Sequence, residues 1–412
     1  MARTILVQAR DTGKLCEELE SAIYEHRLDD AWNLHEQHMH IEGFPRKSIV
    51  NNFLTALTSS LDYQWIEKGY GLVEKAWEEH KQNLFDKETL LYLSLGLAKC
   101  GLPIPASTIL RKLIEMEQFP PVTAWSAILA YMSQNSSGSY LAAELVLEIG
   151  YLFQNGRVDP RKNSNEPLIA MKPNTTACNI ALAGCLLFGT TRKAEQVLDM
   201  MPRINVKTDA TLLIIMAHIY ERNGRREELK MLKRHIDEVQ NLSDLQFRQF
   251  YNCLLSCHLK FRDLDSASHM VLEMLEKAKK AQNALSLANL SFETDKKCST
   301  SPHRHVSGEE LNHINFDGSE NPSLVQRHFL SYEIFYRDRK FSRLETEATE
   351  LLDVLIMKLL RQVELITTER GVLQPTESAY VKLIKVYLEA GRNKGFGRIS
   401  NQGRERKFSD IC

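Results

Sequence analysis

The sequence predicts an all-α protein in which antiparallel helix pairs stack into a solenoid. One phrase recurs, in which a proline stands beside a polar stop residue and an apolar helical run follows; it begins at Pro120, Lys172 and Gln374. The spacing repeats as well, because Asp86 lies 35 residues before Pro121 and Asn174 lies 35 residues before Asp209. A fixed period of this length in a helical pattern is typical of stacked repeats rather than of a closed globule.

The chain up to Asn174 divides into four predicted units. These units are 12–46, 47–86, 87–121 and 122–174. The fourth exceeds the period, and we assign its surplus to two polar stretches, 133–138 and 159–167, which are expected to loop out without breaking the stack.

The unit from Thr175 to Asp209 is the clearest, because both of its ends are marked. Its first predicted helix ends before Gly189, and its second runs from Arg192 to Met201. The inner stripe predicted for the second helix consists of Ala194, Val197, Leu198 and Met201. Neither helix can bury its apolar stripe alone, so each pair is expected to pack on its neighbours.

The composition changes after the next unit, which turns at Asn223-Gly224 and ends with a predicted helix over 225–239. The stretch that follows, 281–322, is polar and has few large apolar residues. Such a stretch cannot bury enough surface to offset the chain entropy lost on folding. An apolar stripe then continues to Thr367, and the helix predicted near Tyr380 lacks a second helix, as in a repeat cut in half. The predicted organisation is an N-terminal segment 1–11, helical repeats 12–280, a disordered polar insertion 281–322, further helical repeats 323–392 and an irregular, disordered tail 393–412.

Four stretches carry a resemblance to a known family: Val122–Leu129, Asn174–Leu182, Tyr220–Leu229 and Tyr387–Arg392. They resemble the pentatricopeptide repeat (PPR) family, whose unit starts like V-x-T-Y-N-x-L-I, turns near K-x-G-x and ends like G-x-x-P-D. The resemblance covers most of residues 12–275 and resumes over about 327–392. It implies a right-handed PPR-like or tetratricopeptide-like superhelix, and a plant-type member of the plain repeat class.

Composition restricts the class of protein. An apolar fraction of 43% is sufficient for a continuous buried spine. Lys and Arg number 52 against 53 Asp and Glu, whereas a nucleic-acid binder is expected to be basic at least locally. The eight cysteines form no C-x-x-C pair and are expected to be buried, reduced thiols. No membrane span is predicted. The first ten residues are consistent with either the remnant of an organelle transit peptide or the start of the first helix.

Two groups of histidines and cysteines resemble metal sites superficially. His35, His38 and His40 lack the spacing of a zinc protease motif and are predicted to lie on a solvated helix face. Cys253, Cys257, His258 and His269 could be imagined as four metal ligands. We predict instead that the two cysteines are thiols in the core. We expect no metal, no cofactor and no catalytic activity, and we find no acid cluster that would support a nuclease.

The family resemblance implies that single-stranded RNA is read one base per repeat. The reading residues are the fifth of the first helix and the last of the repeat. Carried onto this sequence, Asn179 pairs with Asp209, which implies uracil, and Ser126 pairs with Asn174, which implies adenine. The alternative for Asn174 and Asp209 is an ordinary helix cap or turn residue.

Several positions depart from that pattern. The fifth positions of other repeats are apolar, namely Leu91, Ile214 and Val381, and the residue that would wedge between bases is Thr123 or Thr176. A basic stripe on a predicted second helix is interpreted either as a path for an RNA backbone or as a solvated face: Arg226, Lys230, Lys233 and Arg234.

By resemblance, the predicted function is sequence-specific binding of single-stranded organellar RNA in its processing, stability or translation. The expected partners are that RNA and proteins recruited to the transcript, in the mitochondrion rather than the chloroplast. The alternative is a tetratricopeptide-like protein–protein scaffold, which the near-neutral charge and the apolar fifth positions favour.

Overall fold

A computed structural model describes residues 12–154, 165–238, 244–272, 331–338, 341–359, 365–367, 373–375, 381 and 385. The helices are α1 Thr12–Tyr24, α2 Leu28–Ile41, α3 Lys47–Ser59, α4 Tyr63–Glu78, α5 Lys87–Lys99, α6 Pro103–Glu115, α7 Val122–Met132, α8 Ser136–Leu152, α9 Glu166–Ala170, α10 Thr175–Phe188, α11 Thr191–Arg203, α12 Ala210–Asn223, α13 Arg226–Glu238, α14 Asp244–Lys260, α15 Tyr332–Arg337 and α16 Ser342–Leu359. Residues 264–272 are also helical. The predicted all-α class is confirmed.

The chain forms two compact units. The first contains residues 1–209 together with 325–359, and the second contains residues 210–324 together with 360–412. The predicted segments 1–11, 281–322 and 393–412 lie outside the described residues, so their boundaries stay predictions.

In the first unit, the helices alternate between two layers. Helices α3, α5, α7 and α10 each contact the next and form the first layer, while α6, α8 and α11 do the same in the second. Gly189 reverses the chain between α10 and α11 with a φ of 79°, a left-handed conformation that glycine adopts without strain. Gly150 of α8 lets α11 approach closely, because a Cβ there would overlap the Met200 side chain.

The two layers differ in burial. Side chains are buried without a break from Thr89 to Ala98 in α5, from Ala124 to Met132 in α7 and from Ala177 to Leu186 in α10. In the second layer, α11 buries only Ala194, Val197, Met200 and Met201. Leu198 is only half-buried, so its predicted place on the inner face is corrected: Met200 occupies that face instead.

The helices α15 and α16 explain the continuous burial in the first layer. Helix α16 packs on α7 and α10, and α15 contacts α5. Helices α5, α7 and α10 are therefore contacted by α15 or α16 in addition to their neighbours in the two layers. A helix that is apolar all round is the sequence pattern of burial on both sides.

Two details of the first unit differ from the sequence prediction. Residues 133–138 do not loop out, because a short turn leads to Asn135, whose side chain accepts the Gly138 N–H and starts α8 at Ser136. Some of the extra residues of the fourth predicted unit form the short helix α9. Residues 155–164 before it lie outside the described residues.

The second unit contains α12, α13, α14 and helical residues 264–272 around one apolar cluster that includes Phe250 and Leu254. The apolar stripe is predicted to remain helical to Thr367, but the described helix α16 covers it only to Leu359, and the last three residues of the stripe are extended. Residues Leu365–Thr367 form a strand, β1, that pairs antiparallel with β2, Leu373–Pro375. Strand β1 packs on α14.

Candidate nucleic-acid interface

The start of α10 fixes the position of the best predicted pair. Asn174 is the N-cap of this helix, and its Oδ1 accepts the backbone N–H three residues later at 2.8 Å. The Thr175 hydroxyl donates to the carbonyl of Lys207 at 3.1 Å. This second bond ties the chain that precedes Asp209 to the first turn of α10.

The structure brings Asn179 and Asp209 together. The Asn179 Nδ2 donates to Oδ1 of Asp209 at 3.2 Å and to Oδ2 at 3.3 Å. Because a carboxylate only accepts, these bonds fix the orientation of the amide. Asn179 is 1% exposed and its Oδ1 is buried without a hydrogen-bond partner in the described structure, whereas Asp209 is exposed.

This arrangement has defined hydrogen-bonding chemistry. The Asn179 carbonyl oxygen is an unused acceptor, and Asp209 supplies carboxylate oxygens beside it. A buried acceptor without a donor is unfavourable by about 1–3 kcal/mol, so the site gains when a donor arrives. The N3–H of uracil is a donor of this kind, and its flanking carbonyls accept from an amide N–H.

The second predicted pair is not joined. Ser126 is 2% exposed and its hydroxyl is buried without a partner in the described part of the chain. Asn174 uses its side-chain oxygen to cap α10, and no hydrogen bond between the two side chains occurs among the described residues. The cap alternative considered for Asn174 is therefore the observed role of its side chain, and base reading by this pair stays a prediction.

The apolar fifth positions are placed differently from one another. Leu91 in the first unit and Ile214 in the second are each 1% exposed, whereas Val381 is 57% exposed. None of these side chains offers a hydrogen bond to a base edge.

Helix α16 packs on α7 and α10, the helices that carry Ser126 and Asn179. The Tyr131 hydroxyl in α7 donates to the Glu347 carboxylate. At the other end of α16, the Lys358 ammonium donates to Oε1 of Gln134 at 2.9 Å. Burial and the neighbouring Glu347 carboxylate raise the pKa of Tyr131, so the hydroxyl stays a proton donor at neutral pH.

Aromatic contacts attach α15 to the same layer. The ring of Tyr92 lies 5.2 Å from that of Tyr332, edge to face, and 5.2 Å from that of Phe335. The hydroxyls of Thr89 and Tyr332 are 3.3 Å apart. Sequence analysis missed this covering segment, although the apolar runs of α5, α7 and α10 signalled burial on both sides.

The prediction that the histidines of α2 lie on a solvated face is wrong for two of the three. His35 is 5% and His38 is 3% exposed, and only His40 is exposed. The His35 ring packs among the rings of Trp32, Phe44 and Phe53, at centroid distances from 5.2 to 6.5 Å. Burial lowers the pKa of His35 to about 4, with smaller contributions from His38 and Lys75. The aromatic neighbours explain the correction, because they turn this face of α2 inward.

In the second unit, Cys253 and Cys257 are buried thiols, as predicted. The sulfur of Cys253 lies 3.2 Å from Nδ1 of His218, and burial lowers the pKa of that imidazole to about 4. His258 is buried and His269 is exposed. No group of three metal-type side chains occurs in the described ranges, and no helix among them is long and apolar enough to cross a membrane.

The basic stripe on α13 is engaged within the second unit. Arg226 forms an ion pair with Asp263, Lys230 pairs with Glu227, and the Lys233 ammonium lies 5.8 Å from the centre of the Tyr251 ring. These contacts favour the solvated-face interpretation over a path for phosphates.

Comparisons with known proteins identify the family. A family model described as At1g68980, TPR repeats, matches residues 5–155. The Arabidopsis thaliana mitochondrial pentatricopeptide repeat-containing protein At1g03100 is 62% identical over 95% of this chain and 49% of its own length. The chain belongs to the pentatricopeptide repeat family.

Two further comparisons show lower identity. The Arabidopsis thaliana protein At4g17616 is 31% identical over 68% of the chain and 41% of its own length. The chain spans about half the length of the curated relatives it matches. A crystal structure of PPR10 from maize aligns with 97% of the chain and 60% of its own, at 13% identity and a TM-score of 0.26.

Proposed function

We propose that this PPR protein binds single-stranded RNA and that Asn179 and Asp209 together read one uracil. The observation that carries the proposal is the contact of these two side chains, which lie 30 residues apart in sequence and meet with the Asn179 carbonyl oxygen unused. Ser126 and Asn174 are proposed as a second, weaker pair that reads adenine, for which the buried Ser126 hydroxyl is the support.

The place of action is proposed from the relatives. At1g03100 is named as mitochondrial and At3g09650, 24% identical, as chloroplastic. We propose a mitochondrial RNA as the target, in its processing, stability or translation. Proteins recruited to that transcript would be secondary partners.

Selection from a random pool of single-stranded RNA tests the proposal. The native chain is expected to enrich uridine at one position, and replacing both Asn179 and Asp209 by alanine is expected to remove that preference and about 1–3 kcal/mol of binding free energy. The matched control replaces Asn33 and Asp199 by alanine, since both are exposed and lie on α2 and α11. Equal loss in the control would contradict base reading.

Salt dependence adds a second criterion. Binding through phosphates weakens as salt concentration rises, because counterions are released on association. A chain that binds no single-stranded RNA at low salt but captures a defined protein would favour the scaffold alternative. The Ile214 and Leu91 side chains at fifth positions favour that alternative in their own repeats.

A further inference from the structure

Residues 331–338 and 341–359, called here the covering segment, pack against one face of the first-layer helices, including α7 and α10, which carry Ser126 and Asn179. We propose that the covering segment is an intramolecular competitor of RNA for this face, so that RNA binding requires its release. This inference rests on the proposed function and adds its regulation.

The covering segment binds as an amphipathic helix. Its inward residues are spaced three or four apart along α16 and are at most 9% exposed: Leu344, Ala348, Leu352, Leu355 and Leu359. Val354, beside Leu355 in sequence, is 45% exposed and points away. This is the pattern of a helix held in an apolar groove by side chains on one face.

The covering segment makes polar contacts at several points along its length. Glu347 accepts from Tyr131 near the start of α16, and Lys358 donates to Gln134 near its end. Tyr332 of α15 adds the hydroxyl contact to Thr89. These contacts fix the position of α16 over α7 and α10, the two helices that carry Ser126 and Asn179.

The charge of α16 resembles that of an RNA strand in sign. Four of its side chains are acidic and two are basic: Glu345, Glu347, Glu350 and Asp353 against Arg343 and Lys358. Glu347 also lies near the ammonium of Lys99, which is 5.3 Å from the centre of the Tyr131 ring. Burial lowers the pKa of Lys99, and the Glu347 carboxylate opposes that effect. A phosphate would compete with Glu347 for the same cation and hydroxyl.

The energetic consequence follows from two-state competition. A ligand that binds only the open form has its affinity reduced by the fraction of molecules that are open. Attachment to the same chain gives the covering segment a high effective concentration, so the closed form dominates without RNA.

The test compares two neighbouring substitutions in the full chain, Leu355→Asp and Val354→Asp. Both add the same charge to α16, but only Leu355 is buried against the first layer. The probe is a labelled pool of random single-stranded RNA. Leu355→Asp is expected to raise RNA affinity at least tenfold over the native chain, and Val354→Asp is expected to change it less than twofold. Equal affinities for the native chain and a folded Leu355→Asp variant would overturn the inference and leave RNA binding intact.

A covalent lock keeps the test decisive if Leu355→Asp does not fold. Gln134→Glu provides a carboxylate for the Lys358 ammonium, 2.9 Å from the native Oε1, and a carbodiimide then joins the two as an amide. The locked chain is expected to lose RNA binding, while the native chain given the same treatment keeps it. Full binding by the locked chain would overturn the inference. Absence of RNA binding in all of these chains, unlocked variants included, would instead reject the proposed function and the inference with it.

Discussion

Helices α10 and α12 are first helices of consecutive repeats, yet they differ in burial. In α10 every side chain from Ala177 to Leu186 is buried. In α12 buried residues are interrupted by partly buried ones, with Leu213, Met216 and Tyr220 at the edge of the cluster. The difference lies in α16, which packs on α10. The repeat sequence therefore specifies the first helix, but a segment outside the repeat decides that α10 is buried on a further side.

The largest expected effect tests whether the first unit depends on its stacked spine. Val197→Asp buries a carboxylate without a cation between α11 and its neighbours, and we expect a loss of about 3–5 kcal/mol in the free energy of unfolding. Leu198→Asp, at the adjacent half-buried position, is expected to lose about 1 kcal/mol or less. All four tryptophans lie in the first unit, so their fluorescence during urea unfolding reports that unit. Equal midpoints for the two variants would contradict the assigned faces.

A smaller effect addresses the covering segment itself. Leu355→Asp is expected to destabilise the first unit by about 2–3 kcal/mol, at the lower end of the range for losing a buried leucine, because α16 can undock instead of burying the charge. Hydrogen exchange should increase in α7 and α10 and remain unchanged in α12. Val354→Asp serves as the control. Faster exchange in α12 to the same extent would break the comparison between these helices.

The pH dependence of the first unit follows from His35. Its pKa is about 4 in the folded chain, below the ordinary value of 6.5, so folding favours the neutral ring. As pH falls from about 6.5 towards 4, the unfolded chain takes up a proton on this ring before the folded chain does. The free energy of unfolding therefore falls by about 2 kcal/mol between pH 7 and pH 5. His35→Phe is expected to remove this part of the acid sensitivity, as measured by tryptophan fluorescence, and His40→Phe, at an exposed site, to retain it. His218 is expected to act likewise in the second unit.

The smallest effect separates the two members of the second predicted base-reading pair, Asn174 and Ser126. Asn174→Ala removes the cap of α10 and is expected to destabilise the first unit by about 1 kcal/mol. Ser126→Ala removes a buried hydroxyl that has no partner and is expected to be neutral or slightly stabilising. Urea midpoints of the two variants measure the difference. A larger loss for Ser126→Ala would show that its hydroxyl has a structural role.

The sequence by itself determined the helices, their pairing and one contact. The family resemblance paired Asn179 with Asp209, and their side chains lie 3.2 Å apart in the structure. Local signals were sufficient because a repeat packs mainly on its neighbours, so period and amphipathic stripe specify most of the structure. The same argument identified Cys253 and Cys257 as core thiols.

Tertiary structure alone decided the rest. His35 was placed on a solvated face by its spacing, but the rings of Phe44, in the connection after α2, and of Phe53, in α3, enclose it. Likewise, no local pattern revealed that α16 returns to cover α7 and α10, more than 150 residues earlier in the chain. Contacts at such separations depend on which apolar faces remain uncovered once the repeats have stacked, and that is a property of the assembled layers rather than of any one helix.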